Sequence, residues 1–196
     1  MSVEIKPQML RGPWVSGFAL HVHSLSSTYL GDDEYGHARF STTRSPVGEL
    51  LYQLKYRQDK KAIDHLAEAA ATFCEKIWRL KVDAIIPIPP TQARRLQPVQ
   101  AVAKALAALL QVPLCTGLKK VKKTSQLKDL TDYHERAEAL QDAFEIDPSE
   151  TKGKRLLLFD DLYGSGATVR TIAEALTKQG RAKSVHLLTL TKKASG

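Results

Sequence analysis

The sequence contains few cysteines and no long apolar segment, and both absences limit what the protein can be. It has 2 Cys, Cys74 and Cys115, which lie too far apart for a zinc-knuckle spacing. No apolar run approaches the length of a membrane-spanning helix, and the residues up to Pro7 lack the apolar core of a signal peptide. We therefore expect a cytoplasmic protein without a membrane partner, in which both cysteines are buried and unpaired.

The composition is ordinary for a globular domain, apart from its positive charge. The chain has 196 residues, of which 43% are hydrophobic and 26% are charged. It can therefore form one sizeable domain with a small appendage. The formal net charge of +8 favours an anionic ligand or partner. A basic surface without a nucleic-acid role is the simpler interpretation and the one we favour, because charge alone specifies no partner.

The N-terminal region has the pattern of a small β unit. Apolar and polar residues alternate from Trp14 to Ser24, which is typical of a strand. Turn residues follow, and the extended stretch from His37 to Thr43 is expected to complete a hairpin. This pattern predicts a β hairpin or hood region over residues 1–44 and a core domain over residues 45–196.

Strands and helices alternate in the rest of the chain. Ser45 followed by Pro46 is typical of a helix start, and this helix is expected to extend to about Tyr56. The periodicity predicts further helices at 63–77, 98–110, 132–141 and 167–179, and strands at 83–90, 112–118, 143–146, 155–159 and 184–191. This order predicts an α/β fold, a mostly parallel sheet with helices on both faces. Ligands of such sheets bind at the carboxyl ends of the strands.

A strand that ends in two acids and a loop of small residues is the clearest functional signal. Asp160 and Asp161 follow the strand at 155–159, and the loop to Thr168 then leads into a helix. Loop amides and a helix N-terminus attract phosphate, whereas the acids can hold sugar hydroxyls or a metal ion. The loop has neither the lysine of a Walker A motif nor the third glycine of a dinucleotide fingerprint. A sugar phosphate suits both parts of this segment, because its hydroxyls can contact the acids and its phosphate can contact the loop. The alternative, a plain turn with solvated acids, is disfavoured because the acids have no lysine partners nearby.

Two basic segments are candidates for contacts with the other end of such a ligand. Arg94 and Arg95 follow the proline-rich end of a strand, and guanidinium groups suit pyrophosphate because each can bind two oxygens. The alternative is two surface arginines near a helix start. The lysine-rich segment 119–131 shows no clean period and predicts a long mobile loop that closes over the ligand. A solvated loop and a contact with single-stranded nucleic acid are the alternatives there.

The segment Leu156–Thr168 resembles the phosphoribosyl-pyrophosphate (PRPP) binding motif of type I phosphoribosyltransferases: four apolar residues, two acids, and a small-residue loop ending in Gly-x-Thr. Leu54-Lys55-Tyr56, Ile86-Pro-Ile-Pro and the stretch from Lys122 to Phe144 are similar to the ComF/GntX branch of that family. The resemblance covers roughly residues 45–196. That branch is linked to DNA uptake in competent bacteria.

The chain departs from this branch in two places. It has no four-cysteine zinc module, which argues against structural zinc. It has Leu96-Gln97-Pro98-Val99-Gln100 where the branch usually carries Arg-Gly-Phe-Asn-Gln, so the details of that loop stay open.

The resemblance implies an enzyme of nucleoside metabolism, a phosphoribosyltransferase that binds PRPP with Mg²⁺. It would transfer the phosphoribosyl group to an unidentified nitrogen nucleophile and release pyrophosphate. Asp160 and Asp161 would be the catalytic residues, which engage the ribose hydroxyls, and Mg²⁺ would arrive with PRPP without a direct protein ligand. Lys55 and Arg57 would also face the site. The resemblance further implies a 5′-phosphate site at Tyr163, Gly164, Ser165, Gly166, Ala167 and Thr168, a pyrophosphate site at Pro89, Pro90, Arg94 and Arg95, and a lid at Lys122, Lys123, Thr124 and Gln126.

The alternative function is that of an accessory protein without turnover. Such a protein would bind PRPP or single-stranded DNA and assist DNA uptake. The sequence names no acceptor and leaves open whether the chain forms a homodimer.

Overall fold

The structure is a computed structural model that describes residues 3–90, 95–121 and 143–194. The strands are β1 (Gln8–Met9), β2 (Ser16–Val22), β3 (Ser24–Asp32), β4 (Ala38–Arg44), β5 (Ala84–Pro87), β6 (Leu118–Lys120), β7 (Phe144–Ile146), β8 (Arg155–Tyr163) and β9 (Ser184–Lys192). The helices are α1 (Pro46–Tyr56), α2 (Lys61–Thr72), α3 (Pro98–Leu110), α4 (Pro148–Thr151) and α5 (Ala167–Lys178), and a π-helical turn over Phe73–Ile77 extends α2.

A five-stranded sheet in the order β1-β2-β9-β8-β5 forms the centre of the molecule. The strands β2, β9, β8 and β5 are parallel to their neighbours, and β1 pairs antiparallel with β2 at one edge. Helices α1, α2 and α3 pack on one face of this sheet, and α5 packs on the other. The predicted fold class is therefore confirmed.

The central strands are apolar on both sides because helices cover both faces. In β8, Leu157 and Phe159 pack against α1, α2 and α3, whereas Leu156 and Leu158 pack towards α5. All four side chains are 0% exposed. Burying each contributes roughly 1.5–3 kcal/mol. This two-sided burial fixes which face every residue of β8 occupies, including the acids at its end.

The N-terminal region differs from the predicted hairpin. The strand β4 pairs with β3, whereas β2 joins the central sheet in parallel with β9. The predicted pairing partner of the first strand was therefore wrong. The physical reason is that β2 is buried on both faces, with Ala19 and Leu20 both 0% exposed, so it requires a place inside a covered sheet. The division into 1–44 and 45–196 stays a prediction, although β2 lies in the central sheet with strands of the second part.

The start of α1 follows its sequence signature. Gly48 N donates to Ser45 Oγ at 3.0 Å, and Pro46 occupies the first turn. A Cβ atom on Gly48 would overlap the carbonyl of His23, so glycine lets this helix begin directly against the end of β2. This contact fixes the position of α1 against the sheet and therefore the position of Lys55 in the last turn of α1.

The order of the strands in the sheet changes direction at β5, which is an edge strand. After β5 the chain passes its free edge, where Leu114 forms a bridge with Ile85, and the later strand β8 pairs with the other edge of β5. Of the predicted strand at 112–118, Leu114 forms this bridge and Leu118 begins β6. In open α/β sheets, ligands bind in the crevice outside the carboxyl ends of the strands at such a change of direction, which here is the crevice between β5 and β8.

The first residues of the predicted lysine-rich loop lie in a strand. Lys119 and Lys120 lie in β6, which pairs with β7. The predicted helix at 132–141 and the lid residues Lys122, Lys123, Thr124 and Gln126 lie outside the described residues. In the part of the chain that the structure describes, no helix has the length and apolar character that a membrane crossing requires. Cys74 and Cys115 are buried and unpaired, as predicted.

Candidate functional site

The two acids lie inside β8, which continues four residues beyond its predicted end. The strand persists to Tyr163 because β9 runs beside it, with Asp160 opposite Thr189 and Tyr163 opposite Lys192. Side chains alternate along a strand. Asp160 therefore shares the face of Leu158 and α5, and Asp161 shares the face of Phe159 and α1. The acids point to opposite sides of the sheet rather than together from a strand tip.

The loop after β8 forms a small cavity at the N-terminus of α5. Gly166 precedes the helix with φ 81°, a left-handed conformation that glycine adopts without strain. Gly166 has no side chain to cap the helix, and Ala167 N makes only a long contact of 3.4 Å with Ser165 Oγ. Amides of the first turn are therefore available to an anion. The cavity has a volume of about 150 Å³ and is lined by Asp160, Leu162, Tyr163, Gly164, Ser165, Gly166, Ala167, Thr168 and Val169.

Tyr163 is held over this loop by the N-terminal segment. A Cβ atom on Gly166 would overlap the phenol of Tyr163, so the ring packs directly on the glycine. Trp14 meets the Tyr163 ring edge-on at 6.4 Å between centroids. The Trp14 ring centroid also lies 5.6 Å from the guanidinium carbon of Arg170, and the Arg170 guanidinium donates to the Arg11 carbonyl at 2.7 Å. The segment before β2 thus braces the loop.

Asp161 is engaged by a lysine from α1. Lys55 Nζ lies 2.8 Å from Asp161 Oδ2, and the two side chains are 19% and 15% exposed. The argument that the acids lack a lysine partner was therefore wrong, because the partner is distant in sequence. The expectation that Lys55 lies near the acids agrees with this contact. Arg57 instead stacks on Tyr52, with 5.8 Å between its guanidinium carbon and the ring centroid.

A hydrogen-bonded chain connects Asp161 to the end of β2. Thr191 Oγ1 donates to the carbonyl of Asp161 at 3.1 Å, and His23 Nδ1 lies 3.2 Å from the same hydroxyl. The hydroxyl has one proton, so His23 donates from Nδ1 in this arrangement. Burial, together with Lys55 and Arg44, lowers the pKa of His23 and keeps its ring neutral near pH 7.

Asp160 is the titratable group whose surroundings are most unusual in the site. Its carboxyl accepts from Asp161 N at 2.8 Å, but its neighbours on that face of the sheet are largely apolar. Burial, with the nearby Asp161 charge, raises the pKa of Asp160 to about 7. A carboxyl in this state exchanges its proton close to neutral pH and is a recognised mark of a functional site.

The loop after β5 leaves the sheet next to Asp160. Ile88 N donates to the carbonyl of Phe159 at 2.9 Å, which brings Pro89 and Pro90 to the level of the acids. Arg95 is exposed, and Arg94 lies outside the described residues. The prediction of a pyrophosphate site at Pro89, Pro90, Arg94 and Arg95 therefore stays a prediction.

Among the described residues, no cluster of three or more His, Cys, Asp or Glu side chains could hold a metal ion. The donor set at the cavity instead suits a metal that brings its own oxygen ligands. Carboxylates and phosphate oxygens together are the usual surroundings of Mg²⁺. The residues present thus fit Mg²⁺ bound through a phosphorylated substrate.

Sequence reasoning did not identify three residues that shape the site. Trp14 braces Tyr163, His23 is connected to Asp161 through Thr191, and Thr189 lies beside Asp160. Thr189 and Thr191 did leave a signal, because they interrupt an otherwise apolar buried strand at the register of the acids.

Comparison with known proteins identifies the family of the chain. The sequence model described as "Phosphoribosyl transferase domain" matches residues 54–196, and the chain belongs to that family. Among curated proteins, it is similar to the competence protein ComFC of Bacillus subtilis (strain 168), with 27% identity over 149 residues. That alignment covers 76% of this chain and 61% of the relative, so the chain spans less than two thirds of the relative's length.

Solved structures of phosphoribosyltransferases are also similar to the chain. Adenine phosphoribosyltransferase from Saccharomyces cerevisiae is 15% identical, with a TM-score of 0.49 over 86% of this chain and 84% of that one. The glutamine PRPP amidotransferase from B. subtilis is 18% identical, with a TM-score of 0.49 over 67% of this chain and 26% of that one.

Proposed function

We propose that the protein binds PRPP with Mg²⁺ and transfers the phosphoribosyl group to a nitrogen nucleophile, releasing pyrophosphate. The observation that carries this proposal is the cavity of about 150 Å³ that Asp160 and the loop at the start of α5 line together. A carboxyl beside an anion-attracting loop suits a ligand with hydroxyls at one point and a phosphate at another. Membership of the phosphoribosyl transferase domain family supports the same ligand.

The 5′-phosphate would bind at Tyr163, Gly164, Ser165, Gly166, Ala167 and Thr168. Its charge is favoured by the N-terminus of α5, and the left-handed Gly166 lets the backbone approach closely. Tyr163, braced by Trp14, would close one side of this subsite. The phosphate would therefore anchor the substrate at a fixed distance from Asp160.

Asp160 and Asp161 would hold the ribose hydroxyls from the two sides of β8. Lys55 already holds the Asp161 side chain in one orientation, so its carboxylate would bind the sugar without losing further rotamer freedom. Positive charge develops on the sugar as the bond from C1′ to the pyrophosphate oxygen breaks. Two carboxylates fixed nearby would stabilise that charge.

The pyrophosphate would lie towards the loop with Pro89, Pro90, Arg94 and Arg95, and the lid residues Lys122, Lys123, Thr124 and Gln126 would close over it. Mg²⁺ bound with PRPP would neutralise part of the negative charge on the departing pyrophosphate. As the bond from C1′ to the pyrophosphate oxygen breaks, that oxygen keeps the electron pair. The nitrogen of the acceptor forms the new bond to C1′ and releases its proton.

An accessory role in DNA uptake is the second candidate, and the similarity to the competence protein ComFC favours it. In that role the protein would bind PRPP or single-stranded DNA without turnover. The basic composition is compatible with this role but does not specify it.

An assay of pyrophosphate release separates the two candidates. PRPP, Mg²⁺ and the protein are incubated with a panel of amines and nitrogen heterocycles, and pyrophosphate is measured. Release that requires both PRPP and one acceptor supports the transferase. Binding of single-stranded oligonucleotides with a steep salt dependence, together with no release for any acceptor, supports the accessory role.

A further inference from the structure

A buried hydroxyl without a partner lies in the central sheet. Among the described residues, Thr189 Oγ1 is the buried side-chain oxygen that lacks a hydrogen bond, and Thr189 is 0% exposed. Other buried threonines are satisfied: Thr151 Oγ1 donates to the carbonyl of Gly180 at 2.7 Å, and Thr191 Oγ1 donates to that of Asp161. An unpaired buried hydroxyl costs folding free energy and needs an explanation.

The register of the sheet places this hydroxyl beside Asp160. Thr189 in β9 is directly opposite Asp160 in β8 and Ala19 in β2, and all three residues share the α5 face. Ile88 flanks Asp160 on the other side, after β5. Of these neighbours across the sheet, Thr189 alone carries a polar group.

Apart from Asp161 N, which donates to its carboxyl, the described residues around Asp160 give it little support as a carboxylate. Leu158 and Leu162 precede and follow it on the same face, and Val169 faces it from α5. The charged groups that act on it in the described part of the chain are Asp161, its neighbour in β8, and Lys55 from α1. Lys55 is itself paired with Asp161 on the opposite face. Among the described residues, no side chain on the α5 face donates a hydrogen bond to Asp160.

We propose that Thr189 is a positioning residue, whose hydroxyl donates a hydrogen bond to the Asp160 carboxylate whenever Asp160 is ionised. Because neighbouring strands of a sheet lie about 4.8 Å apart, a rotation about χ1 of either side chain brings the two groups together. The hydrogen bond orients the carboxylate towards the cavity and favours its charged form. This role rests on the proposed function, in which the charged carboxylate accepts from the ribose hydroxyls.

The proposal predicts that Thr189→Val changes the stability of the protein and its affinity for PRPP in different ways. Thr189→Val keeps the shape of the side chain and removes the unpaired hydroxyl, so the ligand-free protein is expected to be as stable as the wild type or more stable at pH 5. The same variant raises the pKa of Asp160, because the carboxylate loses a donor. Affinity for PRPP with Mg²⁺ is expected to fall about tenfold at pH 6 and to change little at pH 9, where Asp160 is ionised without help.

The control is Thr151→Val, which removes a satisfied hydroxyl at the opposite end of the strands. It is expected to lower stability and leave PRPP affinity unchanged, the reverse of Thr189→Val. Thr189→Ser keeps the donor and is expected to restore the wild-type dependence of affinity on pH. Affinity is measured by calorimetry from pH 5.5 to pH 9, and the pKa of Asp160 by ¹³C NMR of its carboxyl carbon.

Each outcome decides the proposal. A pH-dependent loss in Thr189→Val, with recovery in Thr189→Ser, supports it. Equal affinities at every pH, or an unchanged pKa of Asp160 in Thr189→Val, overturn it while the proposed PRPP site stands. A wild-type protein that binds no PRPP overturns both.

Discussion

At the residue scale, two adjacent aspartates have opposite surroundings because they alternate along one strand. Asp161 faces α1 and meets Lys55 at 2.8 Å, whereas Asp160 faces an apolar layer and the loop at the start of α5. Burial and the Asp161 charge raise the pKa of Asp160 from its ordinary value of 3.8 to about 7. The pair therefore combines one fixed charge with one carboxyl that exchanges its proton near neutral pH.

The first prediction concerns the stability of Asp160→Asn. Because the folded-state pKa is raised, the folded protein holds a proton that the unfolded chain has lost between pH 4 and pH 7, so stability falls as pH rises through this range. The variant removes this dependence and is expected to be more stable than the wild type by about 1–3 kcal/mol at pH 8, with little difference at pH 4. Urea unfolding at both values measures it, and a less stable variant at pH 8 would contradict the account.

The second prediction concerns the pair of Lys55 and Asp161. Lys55→Met leaves the largely buried Asp161 carboxylate without its partner and is expected to cost about 1–2 kcal/mol of unfolding free energy. It also removes a cation that lowers the pKa of Asp160, so that pKa rises further and PRPP binding at pH 7 weakens. Adding Asp161→Asn removes the unpaired charge and is expected to recover most of the stability. Additive losses in the double variant would show that the two residues are not coupled.

At the scale of elements, the turn from β8 into α5 depends on one glycine. Gly166 has φ 81°, and a side chain there would also overlap Tyr163. Gly153 has a similar φ of 72° but open space around it. Gly153→Ala is therefore expected to cost only backbone strain, about 1 kcal/mol, and to leave PRPP affinity unchanged. Gly166→Ala is expected to cost more and to weaken PRPP binding at least tenfold. Thermal unfolding and calorimetry compare the two, and equal effects of both variants would refute the role of the Tyr163 contact.

The elements of the core could be predicted from the sequence, but the partners of several could not. Ser45 and Pro46 mark the start of α1 by local capping chemistry, and the apolar periodicity of α3 and α5 is equally local. The end of β8 depends on β9, whose backbone lies alongside it as far as Tyr163 opposite Lys192. Pairings of this kind join residues far apart in sequence, as do the ion pair of Lys55 with Asp161 and the register that places Thr189 beside Asp160. The motif therefore predicted the candidate site, whereas its lysine partner and its threonine neighbour required the folded sheet.

At the scale of the whole molecule, the N-terminal region contributes to two parts of the structure. The strand β2 belongs to the central sheet, and the β3–β4 hairpin forms a separate two-stranded sheet. Ser24 and Arg44, at the base of the hairpin, are directly opposite each other, so a short linker can replace the residues between them.

This arrangement predicts different results for two deletions. Replacing residues 25–43 by two glycines is expected to leave a folded protein, because the central sheet stays complete. Deleting residues 1–44 removes β2, with its fully buried Ala19 and Leu20, and is expected to prevent cooperative folding. Circular dichroism and thermal unfolding distinguish the outcomes. A cooperative unfolding transition for the chain that begins at residue 45 would instead establish that part as an independent domain.

The central claim is that Asp160, Asp161 and the loop to Thr168 form a PRPP site, and calorimetric titration with PRPP and Mg²⁺ tests it most directly. Glu174→Gln serves as the control, because it removes a carboxylate from a surface pair with Lys178 on α5. The account predicts saturable binding to the wild type and to this control, and affinity weaker by about a hundredfold in the folded Asp160→Asn, Asp161→Asn double variant. No heat with the wild type, or wild-type affinity in the double variant, would contradict it.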